Sequence, residues 1–175
     1  MDGLEKKIAA GLEQVFWEKG FAGPSVPDLK SGAGVSLRTL YRYFPSREAM
    51  VIGALDHRHA RYLKIIQTDL PPCGPLVADA LFDRLGDWME QTKGKGCLFL
   101  QARSAYPDSL AIVETVRRHK KEIIAALSSI ACSQEIGARL YVLHEGVTAS
   151  YAAMGQDAVL EAKVLARGLF GIRAA

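Results

Sequence analysis

The chain has 175 residues, 49% hydrophobic and 23% charged, with a formal net charge of +3. That length and composition allow a sizeable core and exclude a disordered or fibrous chain. The charge excludes a uniformly basic coat but leaves room for a local patch: residues 1–65 hold ten Lys/Arg against seven Asp/Glu, whereas residues 66–175 hold twelve of each. Leu4, Ile8, Leu12, Val15 and Phe16 recur at helical spacing among Glu5, Lys6, Glu13 and Glu18. This predicts an amphipathic first helix ended by Gly20, with Phe21 packing back as the chain turns. Ser25 caps a short second helix, where Pro27 suits the first turn, Asp28 suits the positive end, and Val26 and Leu29 supply the buried face. Ser31-Gly32-Ala33-Gly34 reads as a tight turn with Val35 as its inward anchor. Ser36 caps a third helix, and Pro45 closes it at Phe44 because a residue before proline avoids helical angles. Two short helices joined by a glycine turn form a helix-turn-helix.

A fourth helix, capped by Ser46, runs from 47 to about 67 with Met50, Leu55, Tyr62 and Ile66 on its apolar side, and Pro71-Pro72 breaks it. The helical pattern continues from 75 to about 91 through Leu76, Leu81, Leu85 and Trp88, then gives way to a loop at 92–96. Further helices are predicted over 97–106, from a cap at Asp108 to about 129, from a cap at Ser133 to Met154, and from Asp157 to about 170. There is no internal repeat and no pair of strand-like segments, so the fold class is all-α.

The third helix carries the chemistry. A helix this short cannot persist alone in water, so Leu40 and Phe44 must pack against Phe16, Phe21 and Leu29. Arg38 and Arg42, four apart, share another face with Leu37 and Tyr41 beside them. Guanidinium forks grip guanine edges or phosphates, and a phenol bonds a phosphate. Leu37 and Arg38, near the helix start, are the candidates for reading bases; Thr39, Tyr41, Tyr43 and Arg47 are the candidates for phosphate. Arg47 with the amides after Ser46, and the amides after Ser25, add anion-binding positions at helix starts, and Ser36 stands at the start of the reading helix itself. Between residues 29 and 47 there are four basic side chains and no acidic one. A purely structural hairpin would leave Arg38, Tyr41 and Arg42 without a purpose.

Taken in order, Ile8…Phe16…Lys19-Gly20-Phe21, Ser25…Asp28-Leu29, Ala33-Gly34-Val35-Ser36, Thr39-Leu40-Tyr41-Arg42-Tyr43-Phe44 and Ser46-Arg47-Glu48 resemble the TetR family of bacterial transcription repressors over residues 4–55. Two positions depart from the usual pattern: Arg38 stands where many members have glycine or another small residue, and Arg47 where lysine is common. Both keep or add positive charge. Little chain precedes Leu4, so contacts from an N-terminal arm in the minor groove are not expected. The resemblance implies an N-terminal three-helix helix-turn-helix DNA-binding domain over residues 1–47 and a C-terminal helical ligand-binding and dimerisation domain over residues 48–175. It further implies a homodimer on a palindromic double-stranded operator, with recognition helices in successive major grooves about 34–36 Å apart. A small organic effector would re-space the heads and release the DNA. The last two helices would form the dimer interface, for which Tyr141, Val142, Val147, Ala149, Ala152 and Ala153, then Val159, Leu160, Val164 and Leu169, give small and apolar surfaces. The run Gly96-Cys97-Leu98-Phe99-Leu100 is similar to a subgroup with a "GC" entry to its sixth helix.

Trp88, Met89, Phe99, Leu100, Tyr106, Tyr141 and His144 are candidates to line the effector pocket, joined by Cys97 and Arg103. The same aromatic stripe serves plain core packing, and Arg103, His144 and Glu145 serve equally at a subunit edge or in an internal pair. Cys97 opens a helix near Lys93 and Lys95, which favours a reactive thiol; its other reading is a small buried hydrophobe. His57 and His59 are two apart and face different ways, so they make no metal pair. Arg117-Arg118-His119-Lys120-Lys121 reads as a solvated helix face. Cys73, Cys97 and Cys132, odd in number and widely spaced, suggest neither a metal site nor a disulfide framework. There is no secretory leader and no apolar run of membrane-spanning length, so the chain reads as cytoplasmic and reduced. No HExxH, GxSxG or phosphate-binding glycine loop is present, which points away from an enzyme, a metal or a cofactor. An alternative keeps the DNA binding without an effector, the C-terminal domain serving as a dimer platform only.

Overall fold

The computed structural model describes residues 3–171. Among them are nine helices and no strand: α1 (Gly3–Lys19), α2 (Val26–Ala33), α3 (Leu37–Tyr43), α4 (Arg47–Gln67), α5 (Pro75–Gln91), α6 (Leu98–Ala105), α7 (Leu110–Ile130), α8 (Gln134–Met154) and α9 (Gln156–Gly171). None is long and apolar enough to cross a membrane. The chain divides into two compact units, Met1–Tyr62 with Leu98–His119, and Leu63–Cys97 with Lys120–Ala175. The unit that holds the helix-turn-helix is thus larger than residues 1–47, because it also takes most of α4, all of α6 and the first half of α7.

In the first unit, Ile8, Leu12 and Phe16 of α1, Leu29 of α2, Leu40 of α3 and Met50, Val51 and Leu55 of α4 close around one core with Leu98 and Ile112. The Phe16 and Phe21 rings stack with centroids 5.0 Å apart. Two close approaches depend on glycine. A Cβ on Gly11 would lie 2.2 Å from the Gly32 carbonyl oxygen, so α1 and α2 touch backbone to backbone, and a Cβ on Gly53 would lie 2.2 Å from the Phe44 ring. Val26, predicted to be buried, is 36% exposed, because the α2 start faces away from the core and Leu29 with Ala33 supply the inner face.

Charged groups lie inside this unit as well. Buried Glu13 accepts from Arg58 at 3.3 Å and Arg61 at 3.0 Å, and pairs with His57 Nδ1 at 2.6 Å. The Arg58 guanidinium also sits 4.6 Å over the Trp17 ring. A carboxylate out of water needs such partners. His119 is buried, its ring stacked 4.2 Å from that of His59, and it pairs through Nε2 with Asp56, which also accepts from Arg118, both at 2.7 Å. Burial works to raise the Asp56 carboxyl, and the His119 and Arg118 bonds outweigh it, leaving the group below the usual carboxylate range. The basic run at 117–121 is therefore no simple solvated face. Ser109 caps α7 in place of Asp108, its Oγ accepting from the Ile112 amide at 3.1 Å.

In the second unit α9 packs on both α5 and α8. Val77, Leu81, Phe82, Leu85 and Trp88 of α5, Leu140 and Val147 of α8 and Val159 and Ala162 of α9 are buried. Arg167–Asp79 at 2.8 Å and Lys163–Asp83 at 2.6 Å tie α9 to α5 across its edge. The start of α8 lies so close on the end of α7 that a Cβ on Gly137 would come within 2.3 Å of Ser128 Cα. The cysteine expectation is corrected here: Cys73 and Cys132 are joined as a disulfide, with Cα atoms 6.2 Å apart across a sequence separation of 59. Wide spacing along the chain hid the pair, since two turns far apart in sequence meet in the fold.

Candidate nucleic-acid interface

Helix α2 is fixed at its start by a capping box. The Ser25 side chain accepts from the Asp28 amide at 3.3 Å, and the Asp28 carboxylate accepts from the Ser25 amide at 2.8 Å and from Lys19 Nζ at 2.5 Å. The Lys19 and Ser25 bonds hold the Asp28 carboxyl far below its ordinary range, so the box stays ionised at any physiological pH. Gly34 ends α2 in the left-handed region at φ 64°, where a side chain would be strained. Ser36 then starts α3, its Oγ accepting from the Thr39 amide at 3.1 Å.

Behind α3, Leu40 and Phe44 are buried as predicted. In front, Arg38 and Arg42 are exposed, and Leu37 and Tyr41 are 44% and 40% exposed despite their apolar bulk. These four side chains, with Ser36 at the helix start, form one outward surface. Thr39 is half-buried and its hydroxyl shares a 2.8 Å hydrogen bond with Ser36, while Tyr43 is half-buried beneath the Arg42 guanidinium at 5.0 Å. Both stand at the flank of the surface rather than on it.

Arg47 departs most from its predicted role. Its Nη1 donates to the Pro24 carbonyl at 2.7 Å, its Nη2 to the Phe21 carbonyl at 2.6 Å and its Nε to the Tyr106 hydroxyl at 2.9 Å, with the guanidinium 5.8 Å from the Phe16 ring. Tyr106 in turn donates to the Phe21 carbonyl at 3.2 Å. Arg47 is therefore a brace that holds the α1–α2 connection, and its fork is turned to internal carbonyls instead of phosphate. Sequence reasoning missed Tyr106 as its partner; nothing local signals a bond that spans 59 positions.

The sequence model described as "Bacterial regulatory proteins, tetR family" matches residues 8–54, the segment that contains this surface. The regulator EthR of Mycolicibacterium smegmatis is 44% identical over 55 residues, covering 31% of this chain and 25% of that protein. The chain thus aligns with about a quarter of the length of that relative. The repressor Rv3405c of Mycobacterium tuberculosis is 25% identical over 144 residues, 79% of this chain and 75% of that one. Over residues 8–54 the sequence is of the TetR type. A TetR-family regulator from Streptomyces coelicolor, SCO4454, shares the fold with a TM-score of 0.76 at 18% identity, over 95% of this chain and 94% of that one. The TetR architecture of an N-terminal helix-turn-helix and a helical C-terminal part accordingly holds here.

The residues expected to line an effector pocket are shared between the two units. Phe99 lies in the first unit, edge-on to His59 and His119, and Tyr106 belongs to the Arg47 brace. Leu100 and Arg103 are exposed on α6. Trp88 and Met89 are core of the second unit. Within the second unit, Cys97, Tyr141 and His144 come together around Lys120, which is only partly exposed. Lys120 Nζ donates to Glu145 at 2.6 Å and approaches Cys97 Sγ at 3.5 Å, Glu145 meets His144 Nδ1 at 3.1 Å, and the Tyr141 and His144 rings stack at 6.4 Å. Burial pushes the His144 imidazole below its ordinary value against the pull of Glu145. Burial opposes charge on Lys120 too, but Cys97 and Glu145 outweigh it and raise its pKa.

Proposed function

We infer that the chain is a homodimeric transcriptional repressor that holds a palindromic operator with its paired α3 helices and releases it when a small organic effector binds. The observation that carries this reading is the outward group of Arg38, Tyr41 and Arg42 on a helix that owes its persistence to the core behind it. Those side chains have the chemistry for phosphates and base edges, and they sit next to the helix start that a major groove would admit.

Dimer formation through the last two helices is supported by apolar side chains that α8 and α9 leave exposed, Val142, Leu160, Val164 and Leu165. Gly146 and Gly168 on the same helices have open space where a Cβ would stand, which suits close helix approach. The repressor sign follows the naming of the relative Rv3405c. The effector rests on the half-buried polar cluster of Lys120, Glu145, His144 and Tyr141, which offers both charges to a ligand in one place. Release requires that the effector bind one conformational state better than the other. The reading without an effector draws on the burial of Trp88 and Met89 in the core, which removes two of the predicted pocket walls.

The test offers the full chain a pool of random duplexes. Enrichment of an inverted repeat bound by two copies is the expected result, with log affinity falling by about 0.9 per phosphate neutralised for each log unit of salt. Failure to enrich any sequence, or binding as a monomer with no salt dependence, overturns the DNA reading. A screen of small carboxylates and amines for operator release then separates the effector reading from its alternative.

A further inference from the structure

We propose that Cys73 and Cys132 form a reversible redox site, closed by hydroperoxides and opened by thiol reductants, that staples the α4–α5 connection to the α7–α8 turn. The two thiols are presented in different ways. Cys132 sits two residues past the end of α7, where the Ser133 amide bonds the Ser128 carbonyl at 3.1 Å and its own amide bonds the Ser129 carbonyl at 3.2 Å. Its φ is 51°, in the left-handed region. This is the position that glycine fills at most helix ends of this kind, because a Cβ is strained there. Backbone geometry therefore argues against a cysteine, and its partner supplies the reason for one. The corner is rigid, since α8 lies against Ser128 at Gly137 and is capped by Ser133.

Cys73 lies in the connection Pro71-Pro72-Cys73-Gly74. That connection is held at its first end by Arg84 of α5, which donates to the Asp69 carbonyl at 3.0 Å. Both cysteines are exposed, so oxidants and reductants reach them. The Cα separation of 6.2 Å lies within the span that a disulfide bridges. Joining residues 59 positions apart removes much freedom from the opened chain, so closure is favoured whenever an oxidant is present. Cys97 is outside the pair and serves as an internal control.

The chemistry balances with one hydroperoxide per bond. One thiolate attacks the O–O bond; an S–O bond forms, the O–O bond breaks, and water or an alcohol leaves. The second thiolate attacks that sulfur; the S–S bond forms, the S–O bond breaks, and the departing hydroxide takes a proton to become water. Two thiols lose two electrons, and the peroxide is reduced by two. Glutathione reverses the process by two exchanges, leaving two thiols and one glutathione disulfide.

Thiols of the full chain are counted with a chromogenic reagent before and after hydrogen peroxide, and the cross-linked peptides are mapped. The expected count is three in the reduced protein and one after peroxide, with a 73–132 linkage within one chain. A rise in melting temperature of roughly 10 °C should accompany closure. A glutathione buffer should restore three. Cys73→Ser and Cys132→Gly should each abolish the shift, the second while relieving the strained backbone. Three thiols persisting under peroxide, a linkage to Cys97 or between chains, or a single thiol that glutathione never increases would each overturn the proposal.

Discussion

Arg42, on the outer face of α3, and Arg47, at the start of α4, stand within one short stretch of chain and end in opposite environments. Arg42 is exposed and touches the Tyr43 ring, whereas Arg47 gives all three of its donor positions to groups inside the first unit. The same side chain is thus a tool in one place and a strut in the other. What decides is the supply of acceptors. The α1–α2 connection leaves the Phe21 and Pro24 carbonyls outside any helix ladder, and a planar fork satisfies two of them at once. Arg38 and Arg42 are exposed on α3, which leaves their forks accessible to a partner. The Glu13 group shows the strut role at its most extreme, with one buried carboxylate holding His57, Arg58 and Arg61 of α4 against α1.

This contrast can be broken by substitution. The largest effect should follow Glu13→Gln, which removes the buried negative charge shared by His57, Arg58 and Arg61; a loss of about 3–5 kcal/mol in chemical denaturation is expected. Retention of wild-type stability would mean that the cluster is not a strut. Arg47→Met should cost about 1–3 kcal/mol, since it removes the Pro24 carbonyl's donor and one partner each from the Phe21 carbonyl and the Tyr106 hydroxyl, which still bond each other, and its DNA affinity should fall only as the head loosens. If its stability is unchanged while the salt slope of DNA binding drops, Arg47 is a phosphate contact after all. Arg42→Ala should do the reverse. Operator affinity should fall about tenfold or more, corresponding to about 1–3 kcal/mol, with the melting temperature unmoved.

The smallest effect concerns pH and sharpens the comparison from the second unit. His144 is buried with its pKa below the ordinary histidine value of about 6.5. Below that value the unfolded chain takes up a proton that the folded chain refuses, so stability rises with pH across the window between the two pKa values. It is complete above about pH 6.5 and is lost as the pH falls. The slope should be at most about 1.4 kcal/mol per pH unit. Thermal melts between pH 5 and 7.5 should show a flatter profile for His144→Gln; identical profiles would remove His144 from the account.

The head was legible in the sequence because its determinants are local. Ser25 and Ser36 cap, Gly34 turns, Pro45 stops, and the apolar positions of α3 name its inner face, each within a few residues of the feature it controls. Legibility fails where partners are distant. Arg47 looked like a phosphate ligand because its acceptors lie 23, 26 and 59 positions away. The disulfide escaped for the same reason, and so did Lys120, whose charged neighbours in sequence concealed its bond to Glu145. The aromatics of α5, α6 and α8 look alike in sequence. Periodicity shows that such residues face inward and does not show which core they enter, so Phe99 and Tyr106 were assigned with residues of the other unit.

The Phe44 ring lies directly on the α4 backbone at Gly53, with no side chain between them as a cushion. Where packing is mediated by flexible side chains, two helices can slip past one another by a rotamer change. Here an axial shift of α4 must drag the exit of α3 along, or else open a gap beside an aromatic ring. Filling that contact with even a methyl group would displace the ring and re-aim the guanidinium pair, changing the outer face of α3 from a position that lies behind it.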